Sequence, residues 1–290
     1  MVNKQFDLLK EEIRNNGVFL DTESLKAILK KYKNLSATSK AWDYVLNEYY
    51  AIKIGSNKLG IDTAIYNVNN GLNCYSDKSG HCNHCNICYA KRDLNQYINS
   101  CLYNLSAEIN FKELSIDKII SDIEQQIIAA KNEIKFIRIS ESGDITNYEC
   151  LQKVIAISDY FYNKYRIISY TYTHNTELEI FYNEIKNSSL VLNYSYNTEL
   201  QDVKKTMIIK KTDIHKYLDD PNYCICSGDC YHCSYCKDAS DLRVVLFVNH
   251  KNKSTKTILK DVLTTEQLIK LESQKFMDYS KFLLKGVNNE

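Results

Sequence analysis

Nine of the eleven cysteines in this 290-residue chain fall into two tight groups. Cys74, Cys82, Cys85 and Cys88 form the first, and Cys224, Cys226, Cys230, Cys233 and Cys236 form the second. Only Cys101 and Cys150 stand apart, in apolar-periodic surroundings that suit a buried free thiol. An odd number gathered in two places argues for metal ligation and against a disulfide framework. Two-residue spacing lets consecutive thiolates turn onto one centre. A run of three so spaced is typical of iron–sulfur ligation, whereas zinc sites more often use two separated pairs.

The first group reads Cys74-x7-Cys82-x2-Cys85-x2-Cys88. All four could close a cluster, or three could hold it and leave one iron open for a ligand, and only the second arrangement gives chemistry at the cluster. His81 and His84 lie inside this group, as zinc ligands, neighbours of a cluster or bystanders. In the second group Cys230, Cys233 and Cys236 form the triplet, the fourth ligand is Cys224 or Cys226, and Gly228-Asp229 suits a turn over the sulfurs. A closed four-cysteine site there would be structural, holding the C-terminal segment to the fold.

A further candidate is Ser142-Gly143-Asp144, just past a strand. Glycine lets the backbone approach a ligand closely, and Asp144 can accept from an amino group; the same residues also suit a turn into the next helix. Arg138 must point to the opposite face of its strand from Ile137 and Ile139, and so lines the interior if those two pack under outer helices. Tyr172, Thr173 and His174 end the following strand on the same rim.

These residues need elements to carry them. Residues 1–60 read as a helical segment, with Asp21-Thr22 capping a stretch that carries Leu25, Ile28 and Leu29, and with Trp42, Val45, Leu46 and Tyr49 continuing the pattern. Strands are expected at 64–68, 134–140, 166–172, 190–194, 206–209 and 242–248. Helices are expected from Ser115, after a capping box at Thr146–Glu149, over Glu177–Lys186, and in the tail from Thr264-Thr265. Strand alternating with helix predicts an α/β fold on a largely parallel sheet, with chemistry in the loops at the carboxyl ends of the strands. The chain divides into 1–60, a helical segment; 61–215, the α/β body with the first cysteine group; and 216–290, the second cysteine group and tail.

Three pieces in this order carry a family resemblance: Cys85-Asn86-Ile87-Cys88-Tyr89-Ala90, then Phe136 to Asp144 (FIRISESGD), then Cys230 to Cys236 with Val245, Phe247 and His250 beyond it. Over residues 70–250 the chain resembles the phage "gene product 88" domain family, whose members look like relatives of radical S-adenosylmethionine enzymes. The resemblance implies a partial parallel β/α barrel, a [4Fe-4S] cluster on the loop after the first strand, a second cysteine site near the C-terminus, and a segment at Ser142, Gly143 and Asp144 that meets the methionyl amine. The radical-enzyme spacing is Cys-x3-Cys-x2-Cys, whereas this chain has Cys82-x2-Cys85-x2-Cys88 or Cys74-x10-Cys85-x2-Cys88.

Composition narrows the rest. A formal charge of +1 gives nucleic acid no electrostatic attraction, although 23 tyrosines offer faces for stacking. No apolar run approaches the roughly 18 to 20 residues that span a bilayer, and the start shows no secretory apolar stretch. The expectation is a soluble cytoplasmic protein. It would hold two clusters and use S-adenosylmethionine, an electron donor and a substrate that the sequence does not specify. The competing expectation is a non-catalytic binding module stapled by zinc or by closed clusters.

Overall fold

The computed structural model describes residues 2–15, 21–32, 52–56, 59–69, 71–82, 88, 91, 96–249 and 254–273. Helices α1 (Val2–Asn15) and α2 (Thr22–Tyr32) pack on a long helix further along the chain, Ile98–Glu113, through Leu9, Ile13, Leu25, Ile28, Leu102, Leu105 and Ile109. Strand β1 (Lys53–Ser56) follows, so the first 60 residues are not wholly helical. The expected continuation through Trp42, Val45, Leu46 and Tyr49 lies outside the described residues.

Strand β2 (Gly60–Tyr66) pairs antiparallel with β1, and every other pairing in the sheet is parallel. The strands after it are β3 (Phe136–Ile139), β4 (Ile168–Thr173), β5 (Leu190–Tyr194), β6 (Lys204–Ile209), β7 (Tyr223–Ile225) and β8 (Val244–Val248). Their order is β1-β2-β3-β4-β5-β6-β8-β7, giving an eight-stranded, mostly parallel sheet in a mixed α/β protein. The sheet crosses both sequence boundaries, since β1 precedes residue 61 and β7 and β8 follow residue 215. Among the described residues no helix is long and apolar enough to cross a membrane.

After the single-turn helix α3 (Tyr75–Lys78) and the long helix α4 (Ile98–Glu113), helix α5 (Ile116–Ile128) starts at Ser115, whose side chain accepts from the Lys118 N–H. Helix α6 (Tyr148–Tyr165) lies beside α5 against the sheet. Ile119, Ile123, Leu151, Val154, Ile157 and Phe161 of these two helices meet Ala64, Ile137, Ile139 and Leu192 in one core. Side-chain alternation does the rest: Ile137 and Ile139 face the helices, so Arg138 faces the other way, with Tyr170, its register partner on β4.

Several local readings are corrected. The cap of α6 is Asn147, whose side chain accepts from Cys150 N–H at 2.9 Å, and not Thr146. An amide oxygen one residue closer to the helix meets the N3 donor directly. Arg166 does not begin β4 but ends α6 in the left-handed conformation at φ 58°. Glu177–Lys186 divides into a 3-10 turn, Thr176–Phe181, and the α-helix Tyr182–Asn187. Beyond the last strand, Thr255–Val262 is a helix that the pattern did not reveal, ahead of the expected one at Thr265–Ser273. Both pack with Ile209, Leu246 and Val248 in a core beside β6, β7 and β8.

Candidate functional site

The face of the sheet opposite α5 and α6 is crossed strand by strand by the second cysteine segment. Tyr231 lies on Gly60 of β2, so close that a Cβ at Gly60 would stand 2.0 Å from its ring. The Lys237 ammonium sits 4.1 Å from the Phe136 ring centroid on β3 and donates to the Cys230 carbonyl at 2.7 Å. The Asn193 amide on β5 donates to the Cys236 carbonyl at 3.0 Å, and buried Lys204 on β6 donates to the Asp241 carbonyl.

Between this segment and the carboxyl ends of the strands is a cavity of about 270 Å³. Cys74, Cys82 and Cys88 line it from the first group, and Cys226, Cys230, Cys233 and Cys236 from the second. The fold thus brings together seven of the nine grouped cysteines, from segments far apart in sequence. Cys85 and His84 lie outside the described residues. Cys224 is buried against Tyr235 and Val245 and is not on the cavity wall. His81 packs edge-on to Tyr75, with ring centroids 5.9 Å apart. Cys101 and Cys150 are buried free thiols.

The sulfurs have polar neighbours. The Gly228 N–H points at Cys226 Sγ at 3.4 Å, and the Tyr172 hydroxyl bonds to Cys236. Burial pushes the Cys236 thiol well above its ordinary value, and burial together with the Asp144 carboxylate pushes Cys74 up to about 12. Bound metal opposes such shifts, because a ligating thiol is deprotonated. Lys237, 2% exposed beside the triplet, brings a positive charge to offset thiolates. Among the described residues no three Cys, His, Asp or Glu side chains stand close enough to hold a metal ion as they are.

The Ser142-Gly143-Asp144 segment lines the same cavity. Asp144 is buried, and its carboxylate accepts from Ser76 Oγ (2.6 Å), Thr173 Oγ1 (2.7 Å), the His174 N–H (2.7 Å) and the Ile145 N–H (2.7 Å). Burial nonetheless raises its pKa, against the lowering effect of these bonds. Asp144 therefore joins the loops after β2, β3 and β4. Gly143 has φ +79°, and an added Cβ would fall 1.5 Å from Asn69 Oδ1. The group that approaches its backbone is Asn69, whose amide donates to the Asp144 carbonyl. Ser142 Oγ donates to Asn104 Oδ1 at 3.1 Å.

The sequence did not bring out Ser76, Ser140, Tyr170 or Lys237 as site residues. A two-residue alternation from Arg138 to Ser140 and from Tyr170 to Tyr172 was the available signal for part of them.

Fold and site together define a mixed α/β protein with a two-segment cysteine cavity at the carboxyl ends of a mostly parallel sheet. The family model for gene product 88 matches residues 27–257, and the chain belongs to that family. No curated protein and no solved structure matches it.

Proposed function

We propose that this protein is an iron–sulfur enzyme of the radical S-adenosylmethionine type, built on a partial parallel β/α barrel. The observation that carries the reading is the shared cavity: both cysteine groups meet at the strand ends, where α/β folds keep their reactive chemistry. A purely structural staple has no need to face a cavity lined by the other group. Strands β2 to β6 also lie side by side in sequence order, the arrangement of a singly wound barrel, with α5 and α6 outside.

In this reading each cysteine group would hold a [4Fe-4S] cluster, the first through Cys85, Cys88 and Cys74 or Cys82, and that cluster would supply an electron for the reductive cleavage of S-adenosylmethionine. The chain's own residues position and enclose. Asp144 acts through Ser76 to fix the loop carrying Cys74 and Cys82. Ser142 and Gly143 line the wall beside which the methionyl group would lie. The segment from Cys226 to Asp241 covers the opposite side and excludes water. An odd number of cysteines, nine of eleven of them in two groups, favours a reducing cytoplasm.

The test is iron, sulfide and zinc analysis of anaerobically purified protein, with its visible spectrum and paramagnetic resonance. About eight irons and a thiolate-to-iron band support two four-iron clusters. A reduced signal that shifts on adding S-adenosylmethionine supports the enzyme. Zinc without iron in a colourless solution overturns it and leaves the stapled binding module.

A further inference from the structure

We infer that the cavity takes a small substrate bearing an oxyanion, a carboxylate or phosphate group, held by Arg138 and Ser140. This rests on the proposed reading only in treating the cavity as the substrate's place, and it names what that substrate must carry. Arg138 lies on β3 between Ile137 and Ile139, both fully buried on the helix side, so its side chain is directed into the cavity. Its guanidinium is 5.2 Å from the Tyr172 ring centroid. Stacking uses the face of a guanidinium, whereas its N–H edge is what recognises an oxyanion, and its charge is permanent.

Ser140, two residues further on, lines the same wall. It is 7% exposed, and its hydroxyl has no hydrogen-bond partner among the described residues. Its backbone is left-handed at φ 59°, a conformation sparsely populated by non-glycine residues and kept mainly where surrounding structure and function require it. The turn is pinned on both sides: Ser140 N–H donates to the Tyr66 carbonyl at 2.8 Å, and Glu141 N–H donates to Asn67 Oδ1 at 2.8 Å. A fixed, buried donor beside a permanent cation suits an anionic acceptor.

The carboxylates on the cavity wall each have a protein partner, that of Asp229 being His232 Nδ1 at 3.0 Å. Asp144 is enclosed by four protein donors, Glu141 pairs with Lys53 at 3.2 Å, and Asp77 pairs with Lys91 at 2.5 Å.

The experiment is calorimetric titration of inorganic phosphate and, separately, acetate into the full chain reconstituted anaerobically with iron and sulfide. Either anion should bind, and which of them binds more tightly identifies the group. Arg138→Gln should weaken binding about tenfold or more, and Arg138→Lys should recover part of the loss. Ser140→Gly should weaken it about threefold to tenfold while easing the left-handed backbone, so the test survives if the arginine variant fails to fold. No binding of either anion to folded protein, or equal affinity in Ser140→Gly, overturns the inference. So does displacement of the anion by S-adenosylmethionine alone, which would make this the cofactor's own subsite. Iron content and the S-adenosylmethionine-dependent resonance of the same samples report separately on the cluster reading. Anion binding without iron keeps this inference and sinks the other; iron with the resonance shift and no anion binding does the reverse.

Discussion

Ser76 Oγ stands 2.6 Å from Asp144 Oδ2, and this bond ties the loop of the first cysteine group to the ends of β3 and β4. Ser76 also receives the Cys82 N–H on its own carbonyl at 2.8 Å, so one residue links Asp144 to the turn between Cys74 and Cys82. Replacing Asp144 by Asn keeps the shape but leaves at least one of its four donors facing an NH2 group. Asp144→Asn should cost about 1–3 kcal/mol, the penalty of a buried polar group left unpaired, and Ser76→Ala about 1 kcal/mol. Urea unfolding of the two single variants and the double variant measures the coupling. Residues in contact should be non-additive by at least about 0.5 kcal/mol, and simple additivity would show that the bond does not join the loops.

Gly143 and Asn69 make a second coupled pair. A methyl group at residue 143 meets Asn69 Oδ1 at 1.5 Å, and the backbone there is left-handed. Gly143→Ala should therefore destabilise by about 2 kcal/mol or more, combining strain with displacement of Asn69 from the Asp144 carbonyl. Adding Asn69→Ala removes the clash, so the double variant should be more stable than the sum of the two singles. Thermal denaturation decides it, and a double variant at or below that sum would place the cost in the backbone alone.

Much of the sheet was legible because β3, β4, β5, β6 and β8 are runs of β-branched and aromatic residues between helical stripes. The helix Ile98–Glu113 was not, because it is buried on several sides. Leu102, Leu105 and Ile109 face the N-terminal helices while Phe111 joins the main core, and no single stripe survives. Three-residue β7 is hidden within the cysteine run and is defined by its partner β8. The cysteines and Ser142-Gly143-Asp144 stood out by residue type. That both cysteine groups meet in one cavity, and that Asp144 turns inward to Ser76 and His174, depend on contacts between distant segments that carry no local pattern.

An acid-sensitive contact joins α5 to α6. Glu124 accepts from Lys164 at 2.7 Å, Tyr160 at 2.6 Å and Tyr165 at 2.7 Å, and these bonds, led by that from Lys164, lower its pKa from an ordinary 4.5 to about 2. A carboxylate whose folded pKa is depressed stabilises the fold above its unfolded pKa and ceases to do so as pH falls through the folded one. The difference in melting temperature between the parent protein and Glu124→Gln should be present at pH 6 and shrink as pH falls from 4.5 towards 2. The site is close to solvent, so the difference should be small and reduced by salt. A difference that is constant across this range would mean that shape, not charge, holds the three side chains to Glu124.

The second cysteine group has one sulfur more than a four-ligand centre needs, and the fold distinguishes them. Cys226, Cys230, Cys233 and Cys236 line the cavity, and Cys226 Sγ receives the Gly228 N–H. Burial raises the Cys236 thiol well above its ordinary value, and the neighbouring Cys226 adds to the rise. Cys224, on β7, does not line the cavity; it is buried with Tyr235 and Val245 in a small core against which Cys226, Cys233 and Cys236 also pack. Cys226→Ser should therefore remove the metal of the second site, about four irons for a cluster or about one zinc, and leave that of the first. Cys224→Ala should retain all of it and cost about 1 kcal/mol, an ordinary core truncation. Metal-to-protein ratios of the two variants, purified in parallel under nitrogen, give the answer. Loss of metal from Cys224→Ala with retention by Cys226→Ser would exchange their roles, making the strand cysteine the ligand and the cavity cysteine the spare.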